Sequence, residues 1–255
     1  MKNLFSVEGK VAVVTGGSRG IGEMIARGLV EAGAKVYISS RRQDACERLA
    51  AELSSAGVCM PIAADLATEA GAKWLAGEIA AREPELHVLV NNAGANWGAP
   101  YAEFPDSAWD KVLALNVKAV FHLTRELTPL LERGAKPGDP ARVINIGSMD
   151  GLRVPPLETY AYSASKAAVH HLTRSLACRL GPKITVNAIA PGPFESKMTA
   201  EMLRGSRDAI IARCPLHRIG ELEDMAGAVI YLSSRAGAYL TGAVITVDGG
   251  LTVCP

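Results

Sequence analysis

The chain is poor in the features that would mark it as anything other than an aliphatic core protein. Aromatic residues make up only 5% of its 255 residues, and 27 basic side chains nearly cancel 26 acidic ones, leaving a formal charge of +1. Such a balance offers no electrostatic footprint for nucleic acid or an anionic membrane surface. No apolar run approaches the ~18 residues of a membrane span, and Met1 to Gly9 lack the apolar centre of a secretory signal. The five cysteines, Cys46, Cys59, Cys178, Cys214 and Cys254, are odd in number and scattered, with no C-x-x-C pair. This speaks against a disulfide framework or a zinc site and points to a reducing, cytoplasmic setting. The histidines do no better as metal ligands, since His170 and His171 are adjacent and point to different sides of a helix. Internal repeats and low-complexity tracts are absent.

What is present is aliphatic bulk (49% hydrophobic) and 25 glycines. Short Val- and Ile-rich runs at 11–15, 35–39, 58–63, 87–91, 142–147, 183–189 and 243–247 read as seven strands. Several lack polar alternation, the mark of strands covered on both faces. Helical stretches lie between them, near 20–32, 42–56, 68–82, 107–132, 160–181 and 221–234. This alternation predicts a single α/β domain over 1–255: a Rossmann-type, doubly wound, seven-stranded parallel sheet with helices on both faces. The stretch 191–220 is longer than an ordinary connection and is expected to be a substrate loop.

After the first strand the chain runs Thr15-Gly16-Gly17-Ser18-Arg19-Gly20-Ile21-Gly22 into a helix. Glycines permit the close backbone approach that a pyrophosphate needs, and the helix start turns free N–H groups toward it. The T-G-x-x-x-G-x-G spacing resembles the short-chain dehydrogenase/reductase family. Further matches follow in that family's order: Asn91-Asn92-Ala93-Gly94, then Ser148, then Tyr162-Ser163-Ala164-Ser165-Lys166 as Y-x-x-x-K, then Pro191-Gly192. The likeness covers nearly the whole chain. It implies cofactor contacts through Gly16, Ser18, Arg19, Gly20, Ile21, Gly22, Asp65, Leu66, Asn92, Ala93, Gly94, Pro191, Gly192 and Phe194. It further implies that Asp65 bonds the adenine amino group, although Asp65 could equally cap the following helix. Many relatives carry a Thr for the nicotinamide carboxamide after Pro-Gly, where this chain has Ser196.

A carboxylate at the end of the second strand would favour NAD, but here the strand ends Ser39-Ser40-Arg41-Arg42. Ser40 would not repel a 2′-phosphate, and Arg41, Arg42 and Arg19 could clasp one with charge-assisted bonds. NADP(H) is therefore the expected cofactor; the plainer alternative is that Arg41 and Arg42 only begin a solvated helix.

Tyr162 and Lys166 are four apart, one helical turn on one face. A phenol near pKa ~10 is a poor acid–base at neutral pH, and a neighbouring ammonium would lower it. Tyr160 has only Ala164 at the same offset. Ser148, at a strand's C-terminal end, could hydrogen-bond a substrate carbonyl. The family likeness adds Asn116, at a helix irregularity holding a relay water, and gives Lys166 a bond to the nicotinamide ribose. The resulting tetrad, Asn116, Ser148, Tyr162 and Lys166, implies hydride transfer from the nicotinamide to a small-molecule carbonyl, with Tyr162 supplying the proton.

Ala141 to Ser148, Tyr160-Ala161-Tyr162 and Ser196-Lys197-Met198-Thr199 make the chain most similar to the β-ketoacyl reductase branch, rhamnolipid-associated type. This implies a 3-oxoacyl group on acyl carrier protein or coenzyme A. Arg133, Arg179 and Lys183 could meet an acidic carrier, or be a solvated basic fringe. The Leu4-Phe5-Ser6 start and the 247–253 ending also resemble gluconate 5-dehydrogenases and polyol dehydrogenases, and a non-catalytic dinucleotide-binding protein is a third possibility. An apolar pocket is expected from Trp97, Val154, Pro155, Phe194, Met198, Met202 and Leu203. The family likeness also implies a homotetramer, paired through the helices near 107–132 and 160–181.

Overall fold

The computed structural model describes residues 3–195 and 200–254; for residues 200–204 it describes the backbone alone. Seven parallel strands form one sheet: β1 (Val11–Thr15), β2 (Lys35–Ser40), β3 (Cys59–Ala63), β4 (Val88–Asn91), β5 (Ala141–Ile146), β6 (Ile184–Pro191) and β7 (Val244–Val247). Their order is β3-β2-β1-β4-β5-β6-β7, so the chain starts at β1, winds outward to β3, returns to the centre and winds the other way. The C-terminal edge where β1 and β4 part is the crevice in which open α/β sheets bind ligands.

The central strands β1, β4, β5 and β6 are buried along their whole length. One face of the sheet is covered by α1 (Gly20–Glu31), α2 (Gln43–Leu53) and α8 (Leu222–Ser233), which pack Ile25, Leu29, Leu49, Met225 and Val229 onto Val14, Val36 and Ile38. The other is covered by α3 (Glu69–Ala80), α5 (Ala119–Gly134) and α6 (Tyr160–Leu180), with Leu75, Ile79, Leu123, Leu127 and Leu176 against Val13, Leu89 and Val143. Both faces being apolar explains why the strands show no polar alternation.

Strand ends depart from the sequence expectation by one or two residues, for local reasons. His87 lies just outside β4, where its Nδ1 accepts the Val11 N–H (3.0 Å) while its own N–H donates to Val11 O (3.0 Å). The expected helix over 107–132 is two helices, α4 (Asp106–Leu113) and α5, joined by a wider π-turn at Ala114–Lys118. The expected loop over 191–220 contains a helix, α7 (Ala200–Arg213). Its residues 205–209 are exposed, so no continuous apolar stripe announces it. No helix among the described residues is long and apolar enough to cross a membrane.

Candidate active site

The glycine turn between β1 and α1 leaves no room for side chains. A Cβ on Gly22 would lie 2.2 Å from the Gly16 carbonyl oxygen, and Gly16 itself has φ +63°. Asn92 holds the turn from β4: its Nδ2 donates to Thr15 O (2.8 Å) and Gly16 O (3.2 Å). Thr15 answers by accepting the N–H groups of Asn92 (2.9 Å) and Ala93 (3.0 Å) on its hydroxyl. Ser18, Arg19, Gly20 and Ile21 form the rim at the start of α1. Arg19 stands before α1 in extended backbone, exposed, with no side-chain partner among the described residues.

At the end of β2, Ser40 folds back onto the Arg42 backbone, accepting its N–H (3.3 Å) and donating to its carbonyl (3.2 Å). Arg42 is paired to Asp44 (2.7 Å) and holds that carboxyl well below the usual carboxylate range. Arg41 is exposed and has no side-chain partner among the described residues. A glycine cradle beside two uncommitted guanidiniums and no carboxylate at the end of β2 fits a dinucleotide with a 2′-phosphate. Arg42 is the least available of the expected clasps. Asp65 is exposed and spends one carboxyl oxygen on the Ala67 N–H (3.1 Å), while Leu66 is buried.

Ser148 follows β5 after Gly147, and its Oγ accepts the Asp150 N–H (3.1 Å) in a short turn at Met149–Gly151. Facing it, the first turns of α6 carry Tyr162 and Lys166. Lys166 Nζ donates to Ile146 O (2.7 Å), the last residue of β5, and sits 5.5 Å from the Tyr162 ring centroid. Burial pushes Lys166 down to about 8. Burial also pushes Tyr162 up to about 12; the Ser148 hydroxyl opposes this by bonding the phenol, and the Asp150 charge adds to it. The sequence led us to expect an ammonium lowering the phenol. In the protein alone burial raises the phenol and lowers the ammonium, because one low-dielectric site penalises both charged forms.

Asn116 lies in the π-turn, where Oδ1 accepts Ala95 N–H (2.7 Å) and Nδ2 donates to Ala95 O and Ser165 Oγ (both 2.9 Å). A Cβ on Gly94 would stand 3.4 Å from Asn116 Oδ1 and 3.8 Å from Lys166 Nζ, so these three residues converge. Tyr160 turns away, donating its hydroxyl to exposed Glu158 (2.9 Å) and packing edge-on against Tyr101 and Phe104.

Pro191 ends β6, and Gly192 N–H donates to Val247 O (2.9 Å); a Cβ there would lie 2.7 Å from the Asp248 Cα. Phe194 is buried in the core, its ring in the space left by Gly220. Ser196 and Met198 lie outside the described residues, as do the side chains of Met202 and Leu203. Among its described members the expected apolar pocket does not gather: Val154 is 93% exposed, and Trp97 stacks with Lys111. In the basic fringe, Arg133 is spent on Pro84 O and Lys183 pairs with Glu132. Sequence reasoning missed the roles of Thr15, of the buried Asn91–Asn145–Thr173 chain of hydrogen bonds behind the site, and of His170 beneath Ser148. Thr15 had a signal, a polar residue ending an otherwise aliphatic strand.

A glycine cradle, a serine at a strand end and a Tyr/Lys pair one helical turn apart define an oxidoreductase site, and the chain belongs to the short-chain dehydrogenase/reductase family. A family model described as enoyl-(acyl carrier protein) reductase matches residues 16–252. Among curated relatives, the rhamnolipids biosynthesis 3-oxoacyl-[acyl-carrier-protein] reductase of Pseudomonas aeruginosa is 50% identical, covering 98% of this chain and 99% of its own. The solved RhlG/NADP active-site complex of Pseudomonas aeruginosa superposes with a TM-score of 0.95 at 49% identity, covering 99% of this chain and 100% of that one. The gluconate 5-dehydrogenase of Gluconobacter oxydans is 34% identical, with 98% of both chains covered.

Proposed function

We propose that the protein uses NADPH to reduce the 3-oxo group of an acyl thioester carried on coenzyme A or acyl carrier protein. The observation that carries the chemistry is the convergence of Ser148, Tyr162 and Lys166 at the sheet edge beside the glycine cradle. The substrate class rests on the likeness to the 3-oxoacyl reductase, at higher identity than the gluconate enzyme. Gly16, Gly20, Gly22 and the start of α1 would hold the pyrophosphate, Arg19 and Arg41 the 2′-phosphate, and Lys166 the nicotinamide ribose. When bound, reduced nicotinamide supplies the hydride to the carbonyl carbon.

The remaining steps fall to the chain's own residues. Ser148 Oγ donates to the carbonyl oxygen and fixes it next to the Tyr162 hydroxyl. As charge develops on that oxygen, Tyr162 gives it the phenol proton. A phenol held near pKa 12 stays protonated at neutral pH, the form a reductase needs. Lys166, close to half-charged near pH 8, stabilises the phenolate left behind. Asn116 braces the Ala95 loop beside Lys166, and the π-turn that carries it would hold the relay water through which the replacement proton returns. We extend the reading to a cytoplasmic homotetramer joined through α5 and α6, which size-exclusion chromatography with light scattering tests.

The deciding assay sets NADPH consumption with acetoacetyl-coenzyme A and a 3-oxoacyl carrier protein against NADP reduction with gluconate and polyols. Turnover in the first set is expected. Turnover only in the second would move the protein to the sugar dehydrogenases and leave the chemistry in place. Inactivity with all of them, despite NADPH binding, would favour a non-catalytic role.

A further inference from the structure

The five residues from Gly147 to Gly151 are clamped onto α6. A Cβ on Gly147 would lie 2.1 Å from His170 Nε2, and one on Gly151 would lie 2.7 Å from the Lys166 carbonyl carbon and 2.9 Å from His170 Cε1. The buried imidazole therefore fills the space that both glycines leave. Inside the clamp the Asp150 N–H is bonded to Ser148 Oγ (3.1 Å), and Gly151 N–H to Ser148 O (3.0 Å). The Asp150 Cα, one bond of about 1.5 Å beyond its nitrogen, is thereby kept within about 5 Å of the substrate-orienting hydroxyl.

The Asp150 carboxylate is half-buried and has no hydrogen bond or ion pair with any described residue. Its charge reaches Tyr162, whose ionisation it opposes. Among the described residues no cation forms an ion pair with it. Burial raises its carboxyl and the field of Arg153, on the same segment, opposes that rise, while the Arg153 guanidinium itself donates to Leu251 O (3.0 Å) and also acts on Asp248. Lys166 is bonded to Ile146 O and loses its proton near pH 8. His170, flanked by Lys166 and Arg174, is neutral above about pH 4, Asn116 on the π-turn is uncharged, and Lys111 on α4 stacks on Trp97. A carboxylate without an ion pair among the described residues is thus anchored by its backbone to Ser148 and close enough for its charge to act on Tyr162.

We propose that Asp150 is a specificity-determining residue whose carboxylate makes the site reject carbonyl compounds bearing a nearby carboxylate and accept uncharged esters and thioesters. This rests on the carbonyl-reduction reading above and narrows it: free 3-oxo acids and oxidised sugar acids are disfavoured, and the same acyl groups in ester linkage are not.

Ethyl acetoacetate and acetoacetate share a reacting ketone and differ in charge, so the ratio of their kcat/KM values with NADPH reads the effect. The wild type is expected to favour the ester. Asp150→Asn should raise kcat/KM for acetoacetate relative to the ester about tenfold, the order expected for two unit charges ~7–8 Å apart in a partly solvated site, since its effect through Tyr162 falls on both substrates and cancels in the ratio. Asp150→Ser, which also removes the charge, should do the same, and Asp150→Glu should restore the discrimination. A ratio unchanged in both neutral variants overturns the proposal while the reductase reading stands. A wild type that reduces neither these compounds nor acetoacetyl-coenzyme A overturns the reading and this inference with it.

Discussion

At the end of β2 the choice between dinucleotides comes down to two neighbouring side chains. Ser40 turns its hydroxyl onto its own backbone, and Arg41 is left exposed beside the glycine cradle. Arg41→Ala should weaken NADPH binding at least tenfold, the order of one lost charge-assisted bond, and leave NADH unchanged; Ser40→Asp should reverse the preference. Fluorescence titration with both nucleotides measures each change, and equal losses for the two cofactors would remove Arg41 from the phosphate site. His170 gives a second prediction at this scale. Its burial, with the nearby charges of Lys166 and Arg174, depresses the imidazole to about 4, against ~6.5 in an unfolded chain. The unfolded chain therefore takes up the proton first, so stability is lost as pH falls from about 6.5 toward 4, by roughly 3 kcal/mol in all. Urea unfolding of His170→Leu between pH 7 and 4.5 should show a shallower acid decline than the wild type. The Tyr162/Lys166 pair was legible because i, i+4 spacing on a helix is a local fact. The place of His170 was not, because it is defined by the missing side chains of Gly147 and Gly151, which only the fold brings to it.

Among the elements, the π-turn between α4 and α5 is where local pattern and tertiary structure part. The apolar periodicity runs on through residues 107–132, so a single helix was the natural reading. The wider turn is secured from outside it, by the three hydrogen bonds of Asn116 to Ala95 and Ser165. Those partners are 21 and 49 residues away in sequence, beyond the reach of any window. Asn116→Ala leaves the Ala95 amide and carbonyl to find other partners and should cost about 2–4 kcal/mol in urea unfolding, with a parallel loss of turnover. Unchanged stability would mean that the π-turn does not depend on this side chain. The helix at 200–213 escaped for the opposite reason: its exposed middle residues carry too little apolar pattern to register.

In the molecule as a whole, the winding of the sheet explains why so much of the site could be placed in advance. Val- and Ile-rich runs marked all seven strands, and right-handed crossovers between parallel strands leave few arrangements open. The sheet order then brings Gly16, Asn92, Ser148 and Pro191, each just past or at the end of its own strand, to one edge. What the pattern could not supply was the electrostatics, since burial raises the phenol of Tyr162 where sequence spacing alone suggested a lowered one. The proposed chemistry turns on this phenol being the proton donor. NADPH oxidation with acetoacetyl-coenzyme A by Tyr162→Phe, alongside the nucleotide affinity of the same preparation, tests it most directly. A fall in kcat of about a hundredfold or more with NADPH affinity unchanged is expected; turnover within tenfold of the wild type would rule Tyr162 out as the donor.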